Sequence, residues 1–413
     1  MLLKFFSSSG RIRALQGGPM GAYFDGFART LAQDGYAQIT ARSHIRAAEH
    51  FAAWADRQGL SLKSLNEETL KRFWHHLPRC RCPRYGCSKR NLSHGAGLFL
   101  KHLEDIGIIQ PAKAADPVLE PTLLAAFGRW MREHRGCCKA TLNNYGNHIS
   151  ELLHRLGENP ERFDARSLRQ FVLEGKQTCG AWAAKTRTTA LRMFLRFLIA
   201  EGKCASTLEG AIPVLALWRL SSLPRYLQPA EVERLIASCS PASPCGLRDR
   251  AILLLLARLG LRAGDIVHLR LQDIDWKDGW IRVCGKGRLQ SRLPLSQEVG
   301  RALVAYLKGG RPRTDSDAVF VRSRAPFREF HSHAAVSVIV GQTFHRAQVT
   351  RPCRGAAHLL RHSIATSMLR QGASLQEVAV LLRHRSIQTT QIYAKVDVVA
   401  LRRIAQPWPE VQS

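Results

Sequence analysis

The last third of the chain contains six side chains that could together perform chemistry on an anionic substrate. They are two guanidinium groups, an amine, two imidazoles and a phenol, in the order Arg262, Lys286, His358, Arg361, His384 and Tyr393. Guanidinium groups stay charged and bind phosphate oxygens in pairs, and imidazoles exchange protons near neutral pH. Such a set suits the binding of an anion, although each of these residue types, taken alone, more often has a structural role.

Apolar residues at helical spacing predict the elements that must position these groups. Arg248–Leu261 is predicted to be a buried helix, and Arg262 follows it directly. His358 and Arg361 are three residues apart, so they share one face of a helix. We therefore predict a mostly helical domain over residues 227–396.

A small β region is predicted within this domain. Trp280–Cys284 and Gln290–Leu295 can pair across a turn in which Gly285 and Gly287 permit a tight reversal. Lys286 would then lie at the tip of the hairpin. The predicted fold class of the whole chain is mainly α with a small β hairpin or sheet.

The net charge of the chain indicates which class of molecule it binds. The 413 residues include 61 Lys and Arg against 32 Asp and Glu, a formal net charge of +29. A folded chain charged in this way is expected to face a polyanion such as nucleic acid. The longest apolar run, Ala251–Ala257, is much shorter than the roughly 20 residues that span a bilayer. We expect no membrane partner, a cytoplasmic location and, with 11 scattered cysteines, no disulfide framework.

The motifs around the six residues resemble the catalytic domain of the tyrosine recombinase (phage integrase) family. The resemblance covers roughly Arg225 to Val396. It is carried by GLRAGD, by the GKG turn with SRLPL after it, by HLLRHSIAT and by LLRHRSIQTTQIYAKV, in that order. Each motif alone is weakly specific, and their combination at these separations is strongly specific.

The resemblance implies a role for each of the six residues. Arg262 and Arg361 would hold the non-bridging oxygens of a DNA phosphate. Tyr393 would attack phosphorus and form a 3′-phosphotyrosine, with His358 as its proton acceptor. Lys286 would protonate the 5′ oxygen that leaves.

The surroundings of His384 depart from the family pattern. His384 corresponds to a position that hydrogen-bonds the scissile phosphate, and the family usually has glycine before it, where this chain has Arg383. Arginine there could shift His384 or add a phosphate contact, and the sequence leaves both open. Asp265 is expected to orient its neighbours, and His362 is expected to have a packing role.

The resemblance further implies a site-specific DNA recombinase or integrase, transposon-encoded types included, that cuts and rejoins duplex DNA without ATP, metal or another cofactor. The implied partners are double-stranded DNA and further copies of the chain, as a tetramer on synapsed sites. Other recombinases or DNA-bending proteins are additional candidates. The tail, residues 397–413, could be exchanged between protomers or fold back on its own domain.

Two other functions remain open at this stage. One is a DNA-relaxing enzyme like the type IB topoisomerases, which would use the same phosphotyrosine step. The other is a DNA-binding regulator that has lost the chemistry. The argument against the regulator is that five of these residues are intact, namely Arg262, Lys286, His358, Arg361 and Tyr393. Helical amino-terminal segments favour recombination over relaxation.

Two helical segments precede the catalytic domain and resemble each other faintly. Residues 1–110 and 122–206 each have apolar residues at helical spacing, which predicts two DNA-binding domains of about four short helices each. The second is similar to the core-binding domain of the family. Prolines mark a linker over 111–121, and a second linker is predicted over 207–226.

A cysteine-rich stretch in the first segment offers potential metal ligands. Cys80, Cys82, Cys87 and His94 could together hold zinc. The spacing is irregular, however, and one residue between the first two thiols is short for a single ion. The alternative is a basic loop with reduced thiols, whose Lys and Arg side chains contact the phosphate backbone.

Overall fold

The structure, a computed structural model, describes residues 1–80, 89–110, 122–215, 223–285, 290–353, 355–396 and 401–402. The chain forms two compact units. Met1–Ile109 and Leu220–Ser413 make up the first unit, and Gln110–Arg219 makes up the second. In the described part of the chain, no helix has the length and apolar character that a membrane crossing requires.

The amino-terminal segment of the first unit is a helical bundle. Its helices are α1 Ser9–Gly17, α2 Phe24–Gln33, α3 Gln38–Arg57, α4 Glu67–His76 and α5 Lys89–Asp105. Their apolar faces bury a core of aromatic side chains that includes Phe27, Phe51, Phe73 and Phe99. Asn66 caps α4 by accepting a hydrogen bond of 2.9 Å from the backbone N–H of Thr69. Residues 1–80 and 89–110 thus contain five α-helices, where the spacing of apolar residues predicted about four.

The second unit has a separate helical core. Its helices are α6 Thr122–Arg135, α7 Lys139–Leu156, α8 Ala165–Ala200 and α9 Thr207–Gly210. Helix α8 is interrupted at Gly180, whose φ of 78° lies in the left-handed region that glycine adopts without strain. Leu208, Ile212 and Leu215 pack into this core. Residues 207–215 thus belong to the helical unit, and not to the linker that was predicted to start at 207.

The carboxy-terminal segment, residues 223–396, contains seven α-helices in its described residues. They are α10 Pro229–Ala237, α11 Pro244–Arg258, α12 Ala263–His268, α13 Gln297–Ala305, α14 His333–Arg346, α15 Ala356–Arg370 and α16 Leu375–Leu382. Helix α11 is buried over Ala251–Ala257, as its unbroken apolar run predicted. Because α13, α14 and α15 all pack around α11, this helix forms the centre of the segment.

A three-stranded antiparallel sheet lies beside these helices. Its strands are β1 Ile274–Asp275, β2 Trp280–Cys284 and β3 Gln290–Pro294, with β2 in the middle. Ile281 pairs with Ile274 on one side and Leu293 on the other, and all three are buried. The predicted hairpin is confirmed, and the mainly α fold with a small sheet is confirmed with it. The short strand β1 was not predicted.

Candidate active site

The turn after α11 positions the first arginine of the site. Gly260 has a φ of 57°, and a Cβ at this position would lie 2.9 Å from a methyl group of Leu382. Glycine therefore permits both the turn and the close packing. Arg262 follows in extended conformation as the N-cap of α12, and its N–H donates to Asp265 Oδ2 at 2.8 Å.

Arg361 on α15 ties three elements together from a buried position. Its side chain is 3% exposed, and its guanidinium donates to the carbonyl oxygens of Gly260 and Leu382. Arg262 Nη2 reaches the same Leu382 oxygen at 3.4 Å. The two arginines that the sequence singled out are thus neighbours, held by the turn after α11 and by the end of α16.

Arg383 completes a cluster of three guanidinium groups. It is the C-cap of α16, with a left-handed φ of 54° that non-glycine residues rarely adopt. Its Nη2 forms a buried ion pair of 2.6 Å with Asp265 Oδ2. The side chain therefore points toward Asp265, and one of its two terminal nitrogens is already used there. Asp265 orients its neighbours in the way that the sequence led us to expect.

The phenol of Tyr393 lies against α15 and contacts the imidazole of His362, for which only a packing role was expected. Tyr393 is 2% exposed and packs with Leu369, Val378 and Leu382. Its hydroxyl forms a 2.6 Å hydrogen bond with Nδ1 of His362. The expectation of a packing role for His362 was therefore incomplete, because this residue contacts the reactive atom. The sequence did contain one indication of this contact, because His362 directly follows Arg361 in the motif HLLRH.

The other predicted residues are placed less directly relative to Tyr393. His358 is exposed on the same helix, with its ring centroid 5.9 Å from that of His362. His384 is half-buried, and its Nδ1 lies 2.8 Å from the hydroxyl of Thr390. Lys286 lies outside the described residues, as does nearly all of the predicted tail. The structure thus brings Arg262, Arg361 and His358 together. The hydroxyl of Tyr393 is hydrogen-bonded to His362.

Burial and mutual repulsion shape the electrostatics of this cluster. Burial, followed by the charges of Arg262 and Arg383, lowers the pKa of Arg361 to about 9, so this guanidinium remains charged at pH 7. Burial also lowers the pKa of Arg262, and the charge of Arg383 acts in the same direction. Three guanidinium groups and the carboxylate of Asp265 together carry a net charge of +2. A bound anion would relieve this repulsion, so the cluster is suited to a phosphate.

The tyrosine and the two histidines have pKa values that keep them neutral. Burial raises the pKa of Tyr393 to about 12, and the charge of Arg361 opposes this rise. Burial, with His358 and Arg361, lowers the pKa of His362 to about 4. Partial desolvation and the charges of Arg361 and Arg262 lower the pKa of His358 as well. At pH 7 the site therefore presents a neutral phenol next to a neutral imidazole acceptor.

We expect Arg383→Ala to destabilise the folded chain by about 3 kcal/mol, because it leaves Asp265 buried without its ionic partner. Arg383→Gly should cost about 1 kcal/mol less, since glycine adopts the left-handed φ without strain. Urea unfolding of the full chain would measure both differences. A glycine variant less stable than the alanine variant would contradict the conformational part of this account.

The predicted zinc ligands lie elsewhere, in the amino-terminal segment. Cys80 Sγ lies 3.4 Å from Nε2 of His50, and both are close to His76. The ring of His94 instead packs against that of His44, at a centroid distance of 5.2 Å. Cys82 and Cys87 lie outside the described residues. Among the described residues, Cys80 therefore lies with His50 and His76, and a set that includes Cys82 and Cys87 stays a prediction.

Comparison with known proteins identifies similar sequences over most of the chain. The model of the phage integrase family matches residues 225–399. The putative integrase/recombinase y4rA of Sinorhizobium fredii is 37% identical over 399 residues, covering 95% of each chain. The tyrosine recombinase XerD of Vibrio cholerae is 30% identical over 300 residues, which cover 68% of this chain and 94% of the relative.

Solved structures with the same fold include two DNA complexes. A lambda integrase dimer bound to a COC′ core site has a TM-score of 0.53 and 21% identity, and the match covers 70% of this chain and 98% of that one. The XerH site-specific recombinase in a post-cleavage complex with a palindromic difH substrate has a TM-score of 0.55 and 18% identity. That match covers 84% of this chain and 99% of XerH. At these identities the likeness establishes the shared fold.

Proposed function

The chain belongs to the phage integrase family of tyrosine recombinases, and we propose that it exchanges DNA strands at specific sites through a covalent 3′-phosphotyrosine formed on Tyr393. The observation that carries this proposal is the position of a neutral phenol within hydrogen-bonding distance of an imidazole and within the electrostatic reach of Arg361. A phenol, an imidazole and a cluster of guanidinium groups are thus neighbours in one folded segment.

The reaction balances without an added energy source. The Tyr393 oxygen forms a bond to phosphorus, the bond from phosphorus to the 5′ oxygen breaks, and that oxygen takes up a proton. One phosphate ester replaces another, so a new 5′-hydroxyl can reverse the step and reseal the strand without ATP. We propose Lys286 as the proton donor on the strength of the resemblance alone.

Arg262 and Arg361 are proposed to hold the non-bridging oxygens of the scissile phosphate. A phosphodiester gains negative charge on these oxygens as the fifth bond to phosphorus forms. Guanidinium groups fixed in advance stabilise that charge without reorganising during the reaction. The lowered pKa of Arg361 supports this role. It reflects burial and repulsion between neighbouring cations, and a bound phosphate would relieve that repulsion and so bind more strongly.

Two imidazoles are candidates for the proton acceptor. His362 contacts the Tyr393 hydroxyl directly, whereas His358 is the residue that the family resemblance implies. The pKa of His362 lies far below that of Tyr393, so the proton cannot leave before the attack begins. We infer that it moves to His362 while the oxygen–phosphorus bond forms, and that His358 contacts the phosphate from its exposed position.

We expect His362→Asn to slow formation of the covalent adduct about 100-fold, because asparagine can accept the hydrogen bond but cannot take the proton. The loss should shrink as the pH rises and the phenol ionises more readily. Single-turnover rates measured across the alkaline pH range would test this, with His358→Asn alongside. A normal rate in His362→Asn and a large loss in His358→Asn would assign the base to His358.

We propose double-stranded DNA and further copies of the chain as partners. The net charge of +29 supports a partner with many phosphates. The similar lambda integrase was solved as a dimer on a core site and as a tetramer on a Holliday junction. A similar assembly here would pair two DNA sites. A cytoplasmic location follows from this proposal where the DNA substrate is cytoplasmic.

The deciding experiment uses two DNA sites that carry different marks. Both sites are taken from the ends of the mobile element that encodes the chain. Recombination should join the marks in new combinations, as detected by gel electrophoresis and sequencing of the junctions. A DNA-relaxing enzyme would instead remove supercoils and leave the marks in their original combinations. A regulator would bind the sites and produce neither product, and either of these results would reject the proposal.

A further inference from the structure

Three potential metal ligands from separate turns of the amino-terminal bundle meet in one place. His50 lies in the middle of α3, His76 is the last residue of α4, and Cys80 follows four residues later. A ligand atom from each lies within 4.8 Å of those from the other two. The rings of His50 and His76 also pack against each other, at a centroid distance of 5.7 Å, so the convergence belongs to the fold of the bundle.

The distances within this cluster are close to those of a tetrahedral zinc site. Zinc bonds of about 2.0–2.1 Å to nitrogen and 2.3 Å to sulfur, at the tetrahedral angle, separate the two ligand atoms by about 3.6 Å. Cys80 Sγ and His50 Nε2 are 3.4 Å apart. The remaining separations, up to 4.8 Å, would close by small rotations of the side chains.

Buried aromatic side chains surround the cluster on one side. His50 is 1% exposed, and its ring packs edge-on against Phe73 and His76. The apolar ring of Phe73 excludes competing water from this side of the site.

We propose that His50, His76 and Cys80 form a zinc-binding site that fastens the end of α4 to α3. On binding, the Cys80 thiol releases its proton to the solvent, and the thiolate and the two imidazole nitrogens coordinate the ion. The fourth position would be taken by water or another donor. This site belongs to the amino-terminal bundle and takes no part in the proposed chemistry at Tyr393.

Zinc content of the purified full chain tests the proposal. The chain is loaded with one equivalent of zinc, passed through gel filtration and analysed for metal by mass spectrometry. We expect about one zinc ion per chain, and Cys80→Ser and His76→Ala should each lower the affinity at least about 100-fold, since a ligand matters more than its supporting groups. Cobalt as a probe should give a thiolate-to-metal absorption band that disappears in Cys80→Ser.

Matched controls separate a metal site from general thiol or histidine binding. His75→Ala removes an exposed imidazole next to His76, and Cys138→Ser removes an exposed thiol in the other unit. Both should keep the zinc and the cobalt band. Wild-type chain without zinc after gel filtration would overturn the proposal, as would zinc retained at full affinity in Cys80→Ser. Circular dichroism of each variant would show whether a loss of zinc reflects a loss of folding, and the proposed recombination is not needed for any readout.

Discussion

Replacing Tyr393 with phenylalanine should abolish the covalent adduct between the chain and its DNA while leaving the fold intact. Phenylalanine lacks the oxygen that would attack phosphorus, so no level of base or charge stabilisation can compensate. The ring stays in its apolar cluster, and the lost hydrogen bond to His362 should cost only about 1 kcal/mol. The measurement is a denaturing gel after incubation with suicide substrates whose cleaved 5′ end diffuses away.

Tyr226→Phe is the matched control for this experiment. Tyr226 packs against the same small cluster as Tyr393, and its hydroxyl accepts a hydrogen bond from Arg370. This variant should form the adduct at close to the normal rate. An adduct that survives in Tyr393→Phe, or one lost equally in both variants, would remove Tyr393 from the reaction. Retained DNA binding by the Tyr393 variant would show that the loss is chemical.

The parts of the fold that sequence predicted are those with local causes. The helix Pro244–Arg258 follows from an apolar run followed by a glycine turn, and the β2–β3 hairpin follows from alternating residues around two glycines. Both elements are determined by residues that are close together in the sequence. The second linker was predicted to begin at residue 207, whereas Leu208 and Ile212 pack into the helical core.

The contacts that sequence could not predict join residues far apart in the chain. The hydrogen bond between His362 and Tyr393 spans 31 residues, and the contact between His50 and Cys80 spans 30. Helical spacing shows which residues share a face, but it does not show what packs against that face. For the same reason the sequence identified Cys80 as a ligand candidate and grouped it with His94 instead of with His50.

The conformation of Arg383 was also beyond sequence analysis. Arg383 has a φ of 54°, a left-handed conformation that glycine adopts without strain and arginine rarely adopts. The strain is compensated by the ion pair with Asp265, which is 118 residues away. Asp265 also accepts a hydrogen bond from the backbone N–H of Arg262. By fixing Asp265, the side chain of Arg383 therefore helps to hold Arg262 in place.

Arg262→Ala is expected to lower the rate of adduct formation by about 1,000-fold, because it removes a preorganised cation from the transition-state phosphate. Arg262→Lys should lose about 100-fold, since an ammonium keeps the charge but cannot bind two oxygens at once. Arg262 is the better choice than Arg361 for this test. Arg361 is buried and satisfies two carbonyl oxygens, so its removal would also destabilise the fold.

The measurement is a single-turnover rate at saturating protein, so that weaker DNA binding does not enter. Arg258→Ala is the matched control, because it removes an arginine that is paired with Glu233 and Glu298. It should react within about threefold of the wild-type rate, as a partly exposed ion pair contributes little. A rate for Arg262→Ala within tenfold of that control would contradict the role of this residue.

A neutral substrate would separate charge stabilisation from positioning. When a methylphosphonate replaces the scissile phosphate, one non-bridging oxygen and its negative charge are gone. If Arg262 acts by neutralising charge, the gap between Arg262→Ala and wild type should narrow from about 1,000-fold to about tenfold on this substrate. If Arg262 only orients the DNA, the gap should be the same on both substrates. The rates of Arg262→Lys on the two substrates measure how much of the rate enhancement depends on two hydrogen bonds from Arg262. A methylphosphonate retains a single non-bridging acceptor, so a bidentate contact to its non-bridging oxygens is not possible.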